Sequence, residues 1–326
     1  MKIIITGGAG FLGDRLAREL LRRGSLSLAG AAPAPVTQIV LVDRVAPRPD
    51  LITDDRITAA VGDVSDLLRA GVLDGADLVF HLAAVVSGEA ERDLELGMRV
   101  NLATTIELLD ACRVQPTPPR LVFASSLAVF GGTEIDPLPP IISDTTLPTP
   151  QSSYGTQKFI GELLVADYAR RSLVPGRSVR LMTVSVRPGA PNAAASSFLS
   201  GIIREPLSGV RSVCPVPADT RVALTSPART IDGLLVAATA SDGQWGALRA
   251  LTLPALTLTV GEMVDALTRV TRPEVSALID WEPDPTIEAI VGSWPAEFEA
   301  TRARSLGLGA DPDFDTIIRS YLADLR

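Results

Sequence analysis

Histidine and cysteine are nearly absent from this chain of 326 residues, which has one histidine and two cysteines. The single histidine, His81, cannot build a histidine-rich zinc site and argues against a histidine-based catalytic triad. Cys112 and Cys214 offer neither a disulfide framework nor the close spacing of metal ligands, so we expect buried thiols in a reducing cytoplasm. The sequence therefore predicts a protein without a metal centre.

Positive charge and long apolar runs are also scarce. Lysine and arginine number 30 against 38 aspartates and glutamates, which gives a formal net charge of -8 at pH 7. Such a chain has no general attraction to nucleic acids or anionic membranes, so an anionic substrate must be held by a few placed arginines. No apolar stretch approaches transmembrane length, and the one near Met1 is too short for a signal peptide. We expect a soluble cytoplasmic protein without nucleic-acid or membrane partners.

Apolar residues make up 46% of the chain, enough for a sizeable core. Through the first half, apolar runs alternate with helical patterns in the βαβ order of a doubly wound parallel sheet. The predicted strands are Ile3–Thr6, Gln38–Asp43, Ile57–Val61, Leu78–Leu82, Arg120–Ser125 and Val179–Arg187. The predicted helices are Phe11–Arg23, Asp66–Ala70, Asp93–Arg113 and Ser152–Ser172.

This alternation ends after Pro188. We predict an α/β protein with a Rossmann-type doubly wound parallel sheet over residues 1–188 and a smaller C-terminal substrate-binding region over 189–326. The chain is expected to cross back to the sheet near Thr225–Thr239.

A glycine-rich turn, Thr-Gly-Gly-Ala-Gly-Phe-Leu-Gly, spans residues 6–13 between a strand and an amphipathic helix. Gly7 or Gly8 allows the sharp turn, Gly10 leaves room for a pyrophosphate, and Gly13 lets the helix pack closely on the strand. Free N–H groups at the helix start then point at the phosphates. Alone, such a loop is a weak signal for a dinucleotide.

A second signal is the pair Tyr154 and Lys158, which share one helix face because they are four residues apart. A nearby ammonium favours the phenolate and lowers the pKa of a tyrosine toward the range of a general acid/base. This spacing is common by chance, but a strand ending in Ser125 and Ser126 precedes it and the glycine turn begins the chain. Together the three features predict a nicotinamide-dependent oxidoreductase.

The sequence resembles the extended branch of the short-chain dehydrogenase/reductase superfamily, which includes nucleotide-sugar epimerases and dehydratases. The resemblance covers about the first 190 residues in the order of the family. The matching pieces are 6–13, Gly62-Asp63-Val64, His81-Leu82-Ala83-Ala84, Asn101, 123–131, Tyr154 with Lys158, and Arg187-Pro188.

The resemblance implies a role for each matching residue. Tyr154 would transfer the proton, Lys158 would hold the nicotinamide ribose, and Ser126 would hydrogen-bond the reacting oxygen, with Ser125 as the fallback. Asp43 would bind the adenosine ribose and favour NAD over NADP, although the neighbouring Arg44 weakens that preference. The implied cofactor site comprises Gly7, Gly10, Phe11, Leu12, Gly13, Asp43, Asp63, Val64, Leu82, Ala83, Ala84, Asn101, Ser125, Tyr154, Lys158 and Arg187. His81 fits a structural role at a buried strand end.

One departure from the epimerases concerns the substrate. Their Asn-x-Tyr-Gly-Pro after the sixth strand is replaced here by residues 187–198, which implies a smaller substrate than a nucleotide sugar. Segments 81–88, 150–154, 187–198, 214–215 and 292–295 resemble members of the branch that oxidise short sugar acids. The implied reaction is NAD-dependent oxidation of D-erythronate, or a close short-chain aldonate, at the 2-hydroxyl. The implied substrate contacts are Ser87, Ser126, Tyr154, Asn192, Ser197 and, for the carboxylate, Arg221.

Two other functions remain open from the sequence. One is a nucleotide-sugar epimerase or dehydratase of the same family, which would need a pocket for a nucleoside diphosphate. The other is a non-catalytic NAD-sensing protein, which would have no need of Ser126, Tyr154 and Lys158. The family also implies a homodimer through helices Asp93–Arg113 and Ser152–Ser172.

Overall fold

The computed structural model describes residues 1–189, 194–246 and 250–325. The strands in chain order are β1 (Lys2–Thr6), β2 (Ser25–Leu26), β3 (Ala34–Pro35), β4 (Gln38–Asp43), β5 (Ile57–Val61), β6 (Leu78–His81), β7 (Arg120–Ser126), β8 (Gly176–Leu181), β9 (Thr183–Val184), β10 (Ser212–Cys214), β11 (Arg221–Thr225), β12 (Leu251–Thr252), β13 (Leu256–Thr259) and β14 (Ile279–Trp281).

The α-helices in chain order are α1 (Phe11–Arg23), α2 (Val64–Arg69), α3 (Ser87–Arg92), α4 (Leu94–Gly97), α5 (Thr104–Arg113), α6 (Ser153–Arg170), α7 (Phe198–Leu207), α8 (Pro227–Thr239), α9 (Asp242–Trp245), α10 (Val260–Val270), α11 (Pro273–Ser276), α12 (Pro285–Gly292), α13 (Thr301–Ser305) and α14 (Phe314–Asp324). None of the helices in the described part of the chain is long and apolar enough to cross a membrane.

A seven-stranded parallel sheet organises the fold, with the order β12-β8-β7-β6-β1-β4-β5. The chain winds outward from β1 in both directions, so the strand order reverses between β1 and β6. In sheets of this kind, ligands bind beyond the carboxyl ends of the strands at that reversal. The topology therefore places a binding site next to the glycine turn.

Alternating side chains of the central strands enter two different cores. Ile3 and Ile5 pack on one face of the sheet with α1 and α8, and Ile4 packs on the other face with α5 and α6. All three residues are fully buried. Burial on both faces explains why these strands are continuous apolar runs in the sequence.

The predicted sixth strand, Val179–Arg187, is wrong in its extent. The chain leaves the large sheet after Leu181, and β9 pairs instead with β11 in a three-stranded sheet, β13-β11-β9. The residues of β8 and β9 are all buried or half-buried, so the apolar pattern continues across the point where the chain changes sheets. A run of apolar residues does not reveal that its two halves belong to different sheets.

Two elements of the C-terminal half, α8 and β12, lie against the large sheet. Helix α8 packs against β7 and β8, and β12 adds the seventh strand beside β8. A separate C-terminal core, formed mainly by α7, α10, α14 and β11, lies beyond the sheet. The C-terminal half therefore contributes both to the large sheet and to its own core.

The predicted helix Asp93–Arg113 consists of three consecutive pieces. A π-helical segment, Met98–Ala103, lies between α4 and α5, and Asn101 lies within it. A π segment re-aims the side chains of a helix and is frequent near functional sites. The side chain of Asn101 is thereby turned toward the segment that follows β6.

Candidate active site

A cleft of about 630 Å³ opens at the carboxyl ends of the central strands. One end is lined by Asp43, Arg44 and Asp63, and the other end by Tyr154 and residues of the C-terminal region. Its middle is lined by Gly7, Gly10, Phe11, Leu12, Gly13, Leu82, Ala83 and Ala84. The structure therefore brings the glycine turn and the Tyr154–Lys158 pair to one continuous site.

The glycine turn has the geometry of a phosphate cradle. Gly7 has φ +71°, and a Cβ there would lie 2.8 Å from the backbone nitrogen of Ala83. A Cβ on Gly13 would collide with the carbonyl oxygen of Gly7. Helix α1 begins after Gly10 without a side-chain cap, so its first N–H groups are available to a ligand in the cleft. An uncapped helix N-terminus of this kind favours an anion such as a pyrophosphate.

Two carboxylates lie where the adenosine half of a dinucleotide would bind. Asp43 follows the apolar part of β4 and accepts hydrogen bonds from the backbone nitrogens of Ala9 (3.0 Å) and Val45 (3.3 Å). These contacts fix the carboxylate at the edge of the cleft, with lone pairs left for ribose hydroxyls. Asp63 caps α2 by accepting from the backbone nitrogen of Ser65 at 2.9 Å. The residues present therefore fit NAD.

Tyr154 lies in the first turn of α6, whose start is fixed by the cap of Ser152 on the backbone nitrogen of Gly155 (3.1 Å). Burial raises the pKa of Tyr154 to about 12, opposed by a hydrogen bond with Ser126 and by the charge of Arg187. The charge of Arg187 therefore acts on the phenol in the direction that the sequence predicts for Lys158.

Lys158 is 2% exposed and lies one helical turn below Tyr154. Its Nζ donates to the carbonyl oxygen of Ala124 at 2.9 Å and lies 4.8 Å from the centre of the Phe123 ring. Burial lowers the pKa of Lys158 to about 8, while the charge of Glu162 raises it. An ammonium has three donors, so two remain for ribose hydroxyls in the cleft.

Sequence reasoning missed a buried network below Lys158. The carboxylate of Glu162 accepts from the Ser125 hydroxyl at 2.5 Å and from two nitrogens of Arg180 at 2.9 and 2.7 Å. Glu162 and Arg180 are both at most 5% exposed. The spacing of Tyr154, Lys158 and Glu162 by four residues is the signal that could have found it. Since Ser125 is committed to Glu162, Ser126 is the hydroxyl of the two that is left for a ligand in the cleft, which it lines together with Tyr154.

Asn101 does not line the cleft, contrary to its predicted contact with the cofactor. It is 1% exposed, and its amide bonds both the nitrogen (2.8 Å) and the carbonyl oxygen (3.1 Å) of Val85. It therefore holds the backbone of the cleft wall from behind.

His81 is also buried: its ring nitrogens bond Thr6 (2.7 Å) and Thr105 (3.0 Å), and burial lowers its pKa to about 3. A neutral, fully bonded imidazole is structural, as the sequence indicates.

Only some of the predicted substrate residues line the cleft in the structure. Ser87 at the start of α3 and Ser197 both line the cleft, whereas Asn192 lies outside the described residues. Arg221 is not among the lining residues: its side chain is 58% exposed and forms an ion pair with Glu297. The structure therefore does not place Arg221 at the cleft, contrary to the prediction that it contacts the substrate carboxylate. The cleft is also lined by Glu89, Arg204 and Trp294, which no sequence motif indicates.

Comparison with known proteins identifies the family. Residues 3–219 match the family described as the NAD dependent epimerase/dehydratase family. The chain belongs to this family. The predicted Rossmann-type α/β fold, the family and NAD as the cofactor are thereby confirmed.

Three known proteins are similar to the chain over nearly its whole length. A protein named D-erythronate dehydrogenase from Cupriavidus necator is 49% identical, with 99% of this chain and 98% of that protein covered. A second protein of that name, from Haemophilus influenzae, is 39% identical with 99% of each covered. A crystal structure described as the nucleoside-diphosphate-sugar epimerase from Agrobacterium tumefaciens is 41% identical, with a TM-score of 0.87 over 99% of this chain and 94% of that one.

Proposed function

We propose that the protein oxidises the 2-hydroxyl of D-erythronate, or of a close short-chain aldonate, to the corresponding 2-keto acid with NAD. The observation that carries this proposal is the convergence of Tyr154, Ser126 and Lys158 on the end of the dinucleotide cleft, with Lys158 held by the carbonyl oxygen of Ala124. The two relatives named for D-erythronate support the choice of substrate.

Each residue of this site has one task in the oxidation. Ser126 and Tyr154 hold the 2-hydroxyl, and the phenolate of Tyr154 takes its proton as the C2–H bond breaks with both electrons. NAD, when bound, accepts the hydride. Because burial raises the pKa of Tyr154 to about 12, the phenol is protonated near neutral pH. The oxidation therefore gains rate as the pH rises, until Lys158, whose pKa is about 8, loses its proton. The reverse reduction uses the protonated phenol.

The structure described as a nucleoside-diphosphate-sugar epimerase supports a second candidate, epimerisation of a nucleotide sugar. An epimerase returns the hydride to its substrate, so it accumulates no NADH, whereas a dehydrogenase releases one NADH per substrate oxidised. A protein that only senses NAD would bind the cofactor and turn over neither substrate. These differences separate the three functions in one assay.

The test follows NADH absorbance with the purified protein, NAD, and a panel of three- to six-carbon aldonates or UDP-sugars. We expect NADH from D-erythronate or a close aldonate and none from UDP-sugars. A UDP-sugar converted to its epimer, with no NADH from any aldonate, would replace the proposal with the epimerase.

We also propose that the enzyme acts in the cytoplasm as a homodimer. The support for a dimer is a set of exposed apolar side chains on the segment from α4 to α5 and on α6, namely Leu94, Met98, Ile106 and Leu163. Both cysteines are free thiols, which suits a reducing compartment. Sedimentation of the wild type and of Leu163→Lys tests the dimer: we expect two copies in the wild type and dissociation in the variant. A monomeric wild type would contradict it.

A further inference from the structure

The cleft contains a guanidinium group that has no anionic partner among the described residues, next to the catalytic tyrosine. Arg187 follows β9 and lines the cleft together with Tyr154. The charged groups that act on it are Arg204 and Tyr154, and no carboxylate in the described part of the chain pairs with it. Burial and the charge of Arg204 both lower the pKa of Arg187. A partly buried cation of this kind is stabilised when an anion binds.

The backbone that carries Arg187 is fixed to α7. The nitrogen of Arg187 donates to the Ser200 hydroxyl at 3.0 Å, and the Ser185 hydroxyl donates to the carbonyl oxygen of Leu199 at 3.1 Å. Arg204 donates to the carbonyl oxygen of Arg187 at 2.8 Å and is itself paired with Glu205. The charge of Arg204 is therefore compensated within the protein, whereas that of Arg187 is not.

The other cations near the cleft are committed elsewhere. Lys158 is bonded to Ala124 beneath the nicotinamide end, and Arg44 lies at the opposite end beside Asp43. Arg221 is ion-paired with Glu297 outside the cleft. Arg187 is thus the cation of the cleft that combines proximity to Tyr154 with an uncompensated charge.

We propose that Arg187 binds the carboxylate of the substrate and thereby presents the hydroxyl on the adjacent carbon to Tyr154 and Ser126. This inference rests on the proposed function, and it explains why oxidation occurs at carbon 2. In a 2-hydroxy acid the hydroxyl is attached to the carbon that bears the carboxylate, so anchoring the acid at Arg187 brings that hydroxyl to the phenol. Hydroxyls farther along the chain are held away from Tyr154. The ligand class of this subsite is a short 2-hydroxy or 2-keto carboxylate.

The test compares D-erythronate with its neutral primary amide in the wild type, Arg187→Met, Arg187→Lys and Arg221→Met. We expect Arg187→Met to lower kcat/KM for the acid roughly 10- to 100-fold more than for the amide, as for a lost charge-assisted pair. Replacing Arg187 also changes the pKa of Tyr154, but that change affects the acid and the amide equally. The comparison between the two substrates therefore isolates the contact of Arg187 with the carboxylate. Arg187→Lys should recover part of the preference for the acid, and Arg221→Met should match the wild type. Equal losses for acid and amide, or loss of the acid preference in Arg221→Met instead, would overturn the inference.

Binding of oxalate, measured by calorimetry on the NADH-loaded protein, tests Arg187 without turnover. We expect the Kd for oxalate to rise at least about tenfold in Arg187→Met and to stay unchanged in Arg221→Met. If the wild type oxidises no aldonate, the proposed function fails, while oxalate binding still decides the role of Arg187. Equal binding to the wild type and Arg187→Met, or no binding to either, would reject it.

Discussion

In the proposed mechanism, proton transfer depends on Tyr154, which lines the end of the cleft together with Ser126. Replacing it with phenylalanine keeps the ring and removes the group that takes the proton. We expect Tyr154→Phe to lower kcat by roughly two or more powers of ten, while NAD binding measured by calorimetry stays near the wild-type value.

The same helix offers a matched control. Tyr168 is also on α6, but its hydroxyl donates to Asp110 at 2.9 Å and does not line the cleft. Tyr168→Phe should therefore turn over normally. Near-normal turnover in Tyr154→Phe, or an equal loss in both variants, would remove Tyr154 from the mechanism.

We expect Asp43 to set the choice between the two nicotinamide cofactors. Its carboxylate is held at the cleft edge by the nitrogens of Ala9 and Val45, where it repels a 2′-phosphate. Asp43→Asn keeps the shape and one acceptor but removes the charge, so the ratio of kcat/KM for NAD to that for NADP should fall. A wild type that uses both cofactors equally would show that the neighbouring Arg44 outweighs Asp43.

The residues that could be predicted from the sequence are those fixed by local spacing. Tyr154 and Lys158 share a helix face, and the glycine turn is contiguous, so both were found from the chain alone. The prediction for Arg221 depends on its position in a family resemblance, whereas in the structure its side chain is exposed, pairs with Glu297 and does not line the cleft. The uncompensated charge of Arg187 depends on how α7 packs against the segment after β9, which no local pattern specifies.

At the scale of elements, α6 carries a stripe of Tyr154, Lys158 and Glu162 that connects the cleft to a buried ion pair. The charge of Glu162 raises the pKa of Lys158 against the effect of burial, which holds it at about 8. Glu162→Gln removes that charge and leaves Arg180 unpaired, so the pKa of Lys158 must fall further. Lys158 then loses its proton at lower pH, and we expect the alkaline fall of kcat/KM to begin at lower pH than in the wild type.

Glu162→Asp is the control for this pH shift, because it keeps the charge on a shorter side chain. We expect its pH profile to stay close to that of the wild type. Removing one partner of a buried pair costs about 3–5 kcal/mol of folding free energy, so thermal melts must first show that each variant is folded at the assay temperature. An alkaline limb of kcat/KM that Glu162→Gln does not move would contradict the coupling.

Some of the helices and strands could be predicted from sequence patterns, and others could not. The first five predicted strands correspond to strands of the large sheet, and Phe11–Arg23 matches α1 at both ends. The split between β8 and β9 escaped detection because both halves are apolar, and only the pairing partner differs. The π segment within Asp93–Arg113 also escaped detection, although it shifts the angular phase of the helix and turns Asn101 toward Val85.

At the scale of the whole molecule, the cleft lies where two cores meet. Trp294 packs against both the core on the α1 face of the sheet and the C-terminal core, and it also lines the cleft. The boundary predicted at residue 188 follows the change of pattern in the sequence, but α8 and β12 return to the large sheet beyond it. Composition and periodicity do not show which core a returning segment will join.

In the proposed reaction, a hydride leaves carbon 2 of a short sugar acid bound in this cleft. The most direct measurement supplies D-erythronate labelled with deuterium at carbon 2, together with NAD, and determines the mass of the reduced cofactor and the rate of its formation. We expect the deuterium to be transferred to NADH, and Tyr154→Phe to slow this transfer. Unlabelled NADH from the labelled acid, or no NADH from any aldonate, would contradict it.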